Sequence, residues 1–305
     1  MRRFLVVGES ILDVIAEPGA APRELPGGSP ANVAAGLARL GNDVGLWTHL
    51  GDDPAGDLLR EHLTGSGVEL LAPVAGTTSR ALARLRPDGS AHYDFTVDWP
   101  RWPGGPAPEE AAEHLHTGSI AALMAPGGDD VARLPRDRAA TTTISYDPNI
   151  RPSLVGDAAG CRLRVEAIAA GSDVVKASDE DLAWLYPEMP ALGAARHLLA
   201  LGPALVCVTL GAEGALAVTG TTRVTVPPEA VTVVDTVGAG DAFMSGLLDA
   251  LGERGLLGAA ARPRLRTMTG DQVRAVLSHA ALVAGLTVAR AGAAPPTRAE
   301  LFSQR

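Results

Sequence analysis

The chain has 305 residues, of which 35 are Gly and 23 Pro, with 46% hydrophobic, 20% charged and 4% aromatic residues. That composition excludes a disordered or collagen-like chain and supplies a sizeable core interrupted by many turns. Lys and Arg number 26 against 35 Asp and Glu, a net charge of −9, which removes the electrostatic footprint of a nucleic-acid or anionic-membrane binder.

In chain order, residues 4–7 read as a first strand, an apolar run too short after Met1-Arg2-Arg3 to serve as a signal peptide. Residues 10–24 carry no helical pattern. A helix is predicted over 30–40, capped by Ser29 and stopped at Gly41, and a strand over 44–48. Asp53-Pro54 then opens a helix over 55–63. Residues 81–86 and 91–97 flank Pro87-Asp88-Gly89-Ser90, a hairpin turn signal. Together with 10–24 they predict a small sheet standing off the main body, with 99–108 as the return linker.

Strands over 115–117, 142–146, 173–176 and 205–210 follow, with a helix over 158–170. Such alternation predicts an α/β fold with a mostly parallel central sheet covered by helices on both faces. Residues 252–269 read as a loop carrying Arg262, Arg264 and Arg266. The most apolar later stretch, 280–289, is too short to span a bilayer. Cys161 and Cys207 form no Cys-x-x-Cys pair, so neither a disulfide framework nor a zinc site is implied, and a cytoplasmic location is expected.

Three stretches carry chemistry. In Val233-Val234-Asp235-Thr236-Val237-Gly238-Ala239-Gly240-Asp241-Ala242-Phe243 an apolar strand is predicted to end at Asp235, with a helix beginning near Ala239. Glycines at a helix start let backbone N–H groups approach an anion, and a carboxylate beside that place can take a proton from an attacking hydroxyl. An acidic residue in the first turn is also what any helix favours, so this stretch alone leaves both readings open. It is not a Walker A loop, since the chain holds no Gly-x-x-x-x-Gly-Lys-Ser/Thr, nor a dinucleotide fingerprint, because Phe243 stands where the third glycine belongs.

In Pro26-Gly27-Gly28-Ser29-Pro30-Ala31-Asn32 the paired glycines make a hinge or a close approach to ligand, and Asn32 can bond a polyol; a tight turn with small-residue packing fits equally. Tyr146-Asp147-Pro148-Asn149-Ile150-Arg151 lies at a strand's C-terminal end, where open α/β sheets bind ligands. Arg151 there suits a phosphate or a carboxylate, or is a surface arginine after a turn.

Residues 27–41 resemble the first signature of the ribokinase-like, PfkB-type carbohydrate kinases. Residues 235–243 match their second, Asp-Thr-x-Gly-Ala-Gly-Asp-x-Phe, at every fixed position. Asp147-Pro148-Asn149-x-Arg151 and His116-Thr117-Gly118-Ser119 make the resemblance closest to the fructokinase branch. The resemblance implies a single ribokinase-like domain over 1–305 with a β lid from about 10–24 and 81–97. It implies ATP-dependent phosphorylation of a sugar's primary hydroxyl, fructose first, with 2-keto-3-deoxygluconate or ribose as alternatives.

By position it makes Asp241 the catalytic base and Gly238, Ala239 and Gly240 the anion hole. Asp13, Gly28 and Asn32 become sugar contacts, Arg151 a contact to substrate or phosphate, and Thr209, Gly211 and Gly214 the nucleotide-binding turn. Lys176 faces a phosphate or is a capped surface lysine. Ser178-Asp179-Glu180-Asp181 departs from the family's Asn-x-x-Glu, with Asp181 keeping a carboxylate for an indirect role toward Mg²⁺. Ala281 stands where some relatives place Asn beside the adenine, and nearby His279 reads as a packing residue.

Carbonyls around Asp235, Val237 and Gly292 are candidates for a monovalent cation such as K⁺. A homodimer through the lid is expected, with no nucleic-acid or membrane partner. From other classes, a catalytically silent sugar-binding protein is the alternative, and a nicotinamide-dependent dehydrogenase is disfavoured by the missing fingerprint.

Overall fold

The computed structural model describes residues 3–16, 20–71, 76–85, 91–102 and 112–303. The predicted turn at 87–90, residues 17–19 and most of the 99–108 linker lie outside them. Its strands are β1 (Arg3–Val7), β2 (Ile11–Ala16), β3 (Arg23–Gly27), β4 (Asp43–Trp47), β5 (Glu69–Leu70), β6 (Arg80–Leu85) and β7 (Ala91–Thr96). They continue with β8 (His114–Gly118), β9 (Thr143–Asp147), β10 (Val174–Ser178), β11 (Leu205–Thr209), β12 (Ala215–Val218) and β13 (Arg223–Val226).

One sheet has the order β13-β12-β11-β10-β9-β8-β1-β4-β5. Its neighbours from β11 to β5 pair in parallel, and β12 and β13 add an antiparallel edge. Alternate residues of β1 serve opposite faces. Phe4 and Val6 enter a core with Leu37, Leu247 and Leu277, while Leu5 and Val7 pack with Leu115, Ile168 and Leu198. Parallel strands buried on both sides are the reason these segments read as unbroken apolar runs. A second sheet, β3-β2-β6-β7, is the small off-body sheet expected from 10–24 and 81–97.

The sequence expectations fail at three places. Residues 231–235 form no strand: Val233 and Val234 are exposed, and the Val234 and Asp235 amides bond to the Val288 carbonyl. Pro227-Pro228 follow β13, and without N–H groups they cannot extend the ladder. Residues 252–269 are only partly loop, because helix Ala239–Glu253 enters them and a short helix, Arg262–Arg266, follows. Arg262 anchors that helix to the Asp173 carboxylate and to the carbonyls of Ala139 and Thr142. Ser29, thirdly, does not cap its helix; Gly28 precedes helix Ser29–Arg39 without a side-chain cap. Asp53, by contrast, caps helix Pro54–Gly65 through Gly56 N as expected.

Asp249, fully buried on helix Ala239–Glu253, gathers three other segments. It accepts from Asn42 Nδ2 (2.9 Å), His279 Nε2 (3.0 Å) and an Arg298 guanidinium nitrogen (2.6 Å). Burial pushes this carboxyl up, but its hydrogen bonds to His279 and Asn42 and the Arg298 charge more than reverse that and hold it below the usual range. His279 is therefore a structural partner. Asp249→Ala leaves the arginine and histidine facing a void and should cost about 3–5 kcal/mol in urea unfolding. A loss below about 1 kcal/mol would show the cluster to be dispensable. Because the folded pKa is depressed, the stabilisation is present above the unfolded carboxyl's pKa of about 3.9 and is lost as pH falls further.

Candidate active site

All the parallel strands end on one edge of the sheet, and strand order reverses between β1 and β8, the place where open α/β sheets form a ligand crevice. A cleft of about 810 Å³ opens along that edge. Its lining includes Arg151, Lys176 and Asp181, the glycine turn Gly238, Ala239 and Gly240 with Asp241, and Thr209, Gly211 and Gly214. Gly211 opens a 3₁₀ turn after β11 and Gly214 follows its end. The apolar residues Ala281, Ala284 and Val288 also line it.

Helix Ala239–Glu253 starts as expected, with Gly238 in the left-handed region at φ 73°. A Cβ there would also lie 2.5 Å from that of Ala293, so glycine is required twice over. The Ala239 amide already bonds to the Thr236 carbonyl at 3.2 Å, and the Ala242 amide closes the first helical turn onto Gly238. Asp241, nearly buried in that turn, is held from helix Ser29–Arg39. Ser29 Oγ donates to Oδ1 at 2.6 Å and Asn32 Nδ2 to Oδ2 at 2.8 Å. The hydroxyl expected to cap its own helix thus orients the carboxylate, a use no local pattern shows.

Asp13, Gly28 and Asn32 do not line the cleft; Asn32 connects to it through its hydrogen bond to Asp241. Burial pushes the Asp13 carboxyl up to about 6; the Arg151 charge opposes the rise and Asp241 adds to it. Gly27 makes room for this carboxylate, since a side chain there would collide with it. Gly28, at φ 98°, lies against the Glu9 carbonyl, where a Cβ would approach to 2.6 Å. Arg151 is exposed and bonds within its own loop, to Asn149 Oδ1 at 2.8 Å.

Lys176 is no surface lysine. It is buried, and its Nζ lies 2.9 Å from Asp147 Oδ2. Burial alone would lower its pKa, but Asp147, with Asp181 and Asp241 farther off, holds it above the ordinary value. Ser178 and Asp181 form a capping box, and each Asp181 oxygen accepts from a backbone amide, Oδ1 from Ile150 (2.7 Å) and Oδ2 from Ser178 (3.0 Å). Asp181 therefore also pins the loop that carries Arg151. Among the described residues no group of three or more His, Cys, Asp or Glu is arranged to hold a metal ion.

Sequence reasoning missed Glu9 at the end of β1. It is buried, accepts from Ala121 N at 3.0 Å, and is pushed up to about 7 by burial. An acidic residue after Gly8 at the end of the first strand was its visible signal.

A carboxylate at a glycine-rich helix start, over the C-terminal edge of a parallel sheet and beside a separate small sheet, defines a carbohydrate kinase of ribokinase-like fold. The family model described as pfkB family carbohydrate kinase matches residues 1–300. A fructokinase of Rhizobium leguminosarum bv. trifolii is 38% identical over 268 residues, covering 81% of this chain and 79% of the relative. The crystal structure of a fructokinase with bound ATP from Xylella fastidiosa superposes with a TM-score of 0.84 at 28% identity, covering 99% of this chain and 97% of that one. A fructokinase double mutant from Vibrio cholerae O395, in a form with fructose, ADP and potassium ion bound, has a TM-score of 0.83 at 27% identity and covers 99% and 98%. The chain belongs to the pfkB family of carbohydrate kinases.

Gly238→Ala tests the start of the Asp241 helix. A left-handed non-glycine residue costs about 1–2 kcal/mol, and the clash with Ala293 adds about 1–3 kcal/mol. Pairing it with Ala293→Gly should restore only the clash part in urea melts. Full restoration would mean that the backbone conformation is not constrained.

Proposed function

We propose that this kinase transfers the γ-phosphoryl group of ATP to the primary hydroxyl of fructose, the whole chain acting as one kinase domain. The observation that carries the reading is Asp241, fixed by Ser29 and Asn32 at the glycine turn and facing the cleft. The sugar is held by Asp13, Gly28 and Asn32. The triphosphate lies along Gly238–Gly240 toward Lys176, Thr209, Gly211 and Gly214, with adenine against Ala281 and its apolar neighbours.

The sugar oxygen attacks the γ-phosphorus as the bond to the β–γ bridging oxygen breaks. Its proton passes to Asp241, and ADP leaves. Amides at the helix start and the Lys176 ammonium face the charge on the transferring group. The β3-β2-β6-β7 sheet acts as the lid that excludes water, and its open face is the expected dimer contact.

The sparse donor set fits a Mg²⁺ carried mainly by nucleotide phosphates, with Asp181 the nearby carboxylate acting through water; the ion would neutralise phosphate charge. Asp235 joins Val237 N to Gly292 N, drawing together the two loops whose carbonyls would take K⁺. Both cysteines are free and buried, which suits a cytoplasmic enzyme. Among the described residues no helix is long and apolar enough to cross a membrane. A sugar acid such as 2-keto-3-deoxygluconate is the second reading, favoured by exposed Arg151 at the cleft's edge, which suits a carboxylate.

Sugar-dependent ADP release with Mg·ATP, over fructose, ribose, glucose and 2-keto-3-deoxygluconate, tests the substrate. Asp241→Asn should lower kcat by about 10²–10⁴ with KM nearly unchanged. Near-normal turnover in that variant would remove Asp241 from the mechanism, and no turnover by the wild-type chain would favour a silent sugar-binding protein.

The Asp13 carboxyl gives a pH signature. Its raised pKa leaves it ionised above about pH 6 and protonated below, where it accepts sugar hydroxyls less well. KM for the sugar should therefore be flat near pH 8 and climb as pH falls below about 6, a dependence that Asp13→Asn should abolish at a uniformly high KM. A wild-type KM that stays level across this window would rule out Asp13 as the titrating sugar contact.

A further inference from the structure

The 26 basic residues of this chain comprise 25 arginines and one lysine, Lys176. A chain that uses arginine everywhere else keeps an ammonium at this buried position. Lys176 is buried, and its Nζ would lie 2.8 Å from a Cβ on Gly240, so it rests against bare backbone at the glycine turn. A planar guanidinium is bulkier and projects its donors in a fixed fork, whereas an ammonium is a compact point charge.

The partner of this lysine is Asp147, the first residue of the Asp-Pro-Asn-x-Arg stretch, fully buried and 2.9 Å away through Oδ2. Resting on the kinase reading above, we infer that Asp147 is a positioning residue that holds the Lys176 ammonium against Gly240, where it meets the terminal phosphates of the nucleotide.

The surroundings of Asp147 are built for rigidity. Gly118 of β8 packs so closely on the Asp147 backbone that a side chain there would collide with it. Behind Asp147 one face of the sheet carries a buried polar row. His116 Nδ1 and His114 Nε2 meet Ser145 Oγ at 2.9 and 2.7 Å, and His114 Nδ1 meets Thr143 Oγ1 at 2.9 Å. Asp147 continues that row two residues beyond Ser145, and its Oδ1 has no hydrogen-bond partner among the described residues. Buried ion pairs contribute little net stability, because desolvation offsets the attraction. One placed beside a helix start that can take an anion is better explained by what it presents to the cleft.

Lys176 is faced by Asp147 from β9, Asp181 from helix Asp179–Leu185 and Asp241 from helix Ala239–Glu253. His116 from β8, held down to about 3 by burial and the Lys176 charge, and Cys207 from β11, its thiol pushed up to about 12 by burial, are both neutral near pH 7. Asp147 is thus the anion in contact. Without it, burial would draw the proton off Lys176 at lower pH.

The sole lysine makes the test direct, because lysine labelled with ¹⁵N gives a single side-chain amine signal. In the wild-type chain Mg·ATP should move that signal and adenosine should not. Asp147→Asn should weaken ATP binding about 10- to 100-fold while adenosine affinity holds. Its ATP affinity should then fall further as pH rises from about 7 to about 9, together with titration of the amine signal, where the wild type stays flat.

Lys176→Met should lose a similar affinity without the pH dependence, and Asp147→Asn added to it should cost nothing more. If Asp147→Asn alone does not fold, the double variant, free of the buried charge, should fold and bind ATP like Lys176→Met. Additive losses in the double variant, an unchanged ATP affinity in Asp147→Asn, or equal losses for ATP and adenosine would each overturn the inference. A wild-type chain that binds no ATP, with its lysine signal intact, would instead bring down the kinase reading on which this rests.

Discussion

Two hydrogen bonds onto Asp241 join parts of the chain more than 200 positions apart, from Ser29 and Asn32 on an early helix to the first turn of a late one. The site depends on this contact. Helices Ser29–Arg39 and Ala239–Glu253 pack on the same face of the sheet, sharing a core that includes Val33, Leu37, Met244 and Leu247. Their small residues let them approach closely. Gly36 lies against the Ser245 side chain, and Gly246 against Val283 of helix Gly270–Val288. Each of those glycines lacks a side chain where a neighbouring helix must come near, so close packing far from the chemistry sets where the carboxylate points.

The carboxyls of Asp13 and Asp147 lie near enough to Asp241 for its charge to add to the rise that burial causes. Glu9 and Asp13 are pushed upward by burial, and Asp181 spends its oxygens on backbone amides. Against these stand one exposed guanidinium, Arg151, and one buried ammonium, Lys176. The two cations differ in their surroundings. Arg151 is exposed and bonds within its own loop, while Lys176 is confined between Asp147 and Gly240.

Much of this was legible in the sequence where the determinant is local. The helix start at Ala239 follows from two glycines before an apolar helical period, and Asp53 caps its helix because the carboxylate and the Gly56 amide that donates to it lie within four residues. Reading failed where a residue had a distant partner to serve. Ser29 had every local feature of a cap, but its hydroxyl found Asp241 instead. Residues 231–234 are all β-branched, yet Pro227-Pro228 detach them from the sheet, and the amides of Val234 and Asp235 go to Val288. Whether Lys176 was buried could not be read from a short apolar strand, because only the neighbours across the sheet and the helix above it close that space.

The sequence by itself determined the fold class, six parallel strands of the central sheet (β1, β4, β8, β9, β10 and β11) and the two glycine-rich turns, since all of these rest on periodicity and on backbone conformations that only nearby residues control. The tertiary structure alone decided which carboxylates are held, buried or paired. Hydrogen-bond geometry and desolvation depend on atoms contributed by segments far apart in the chain, and no spacing along the chain records their distance in space.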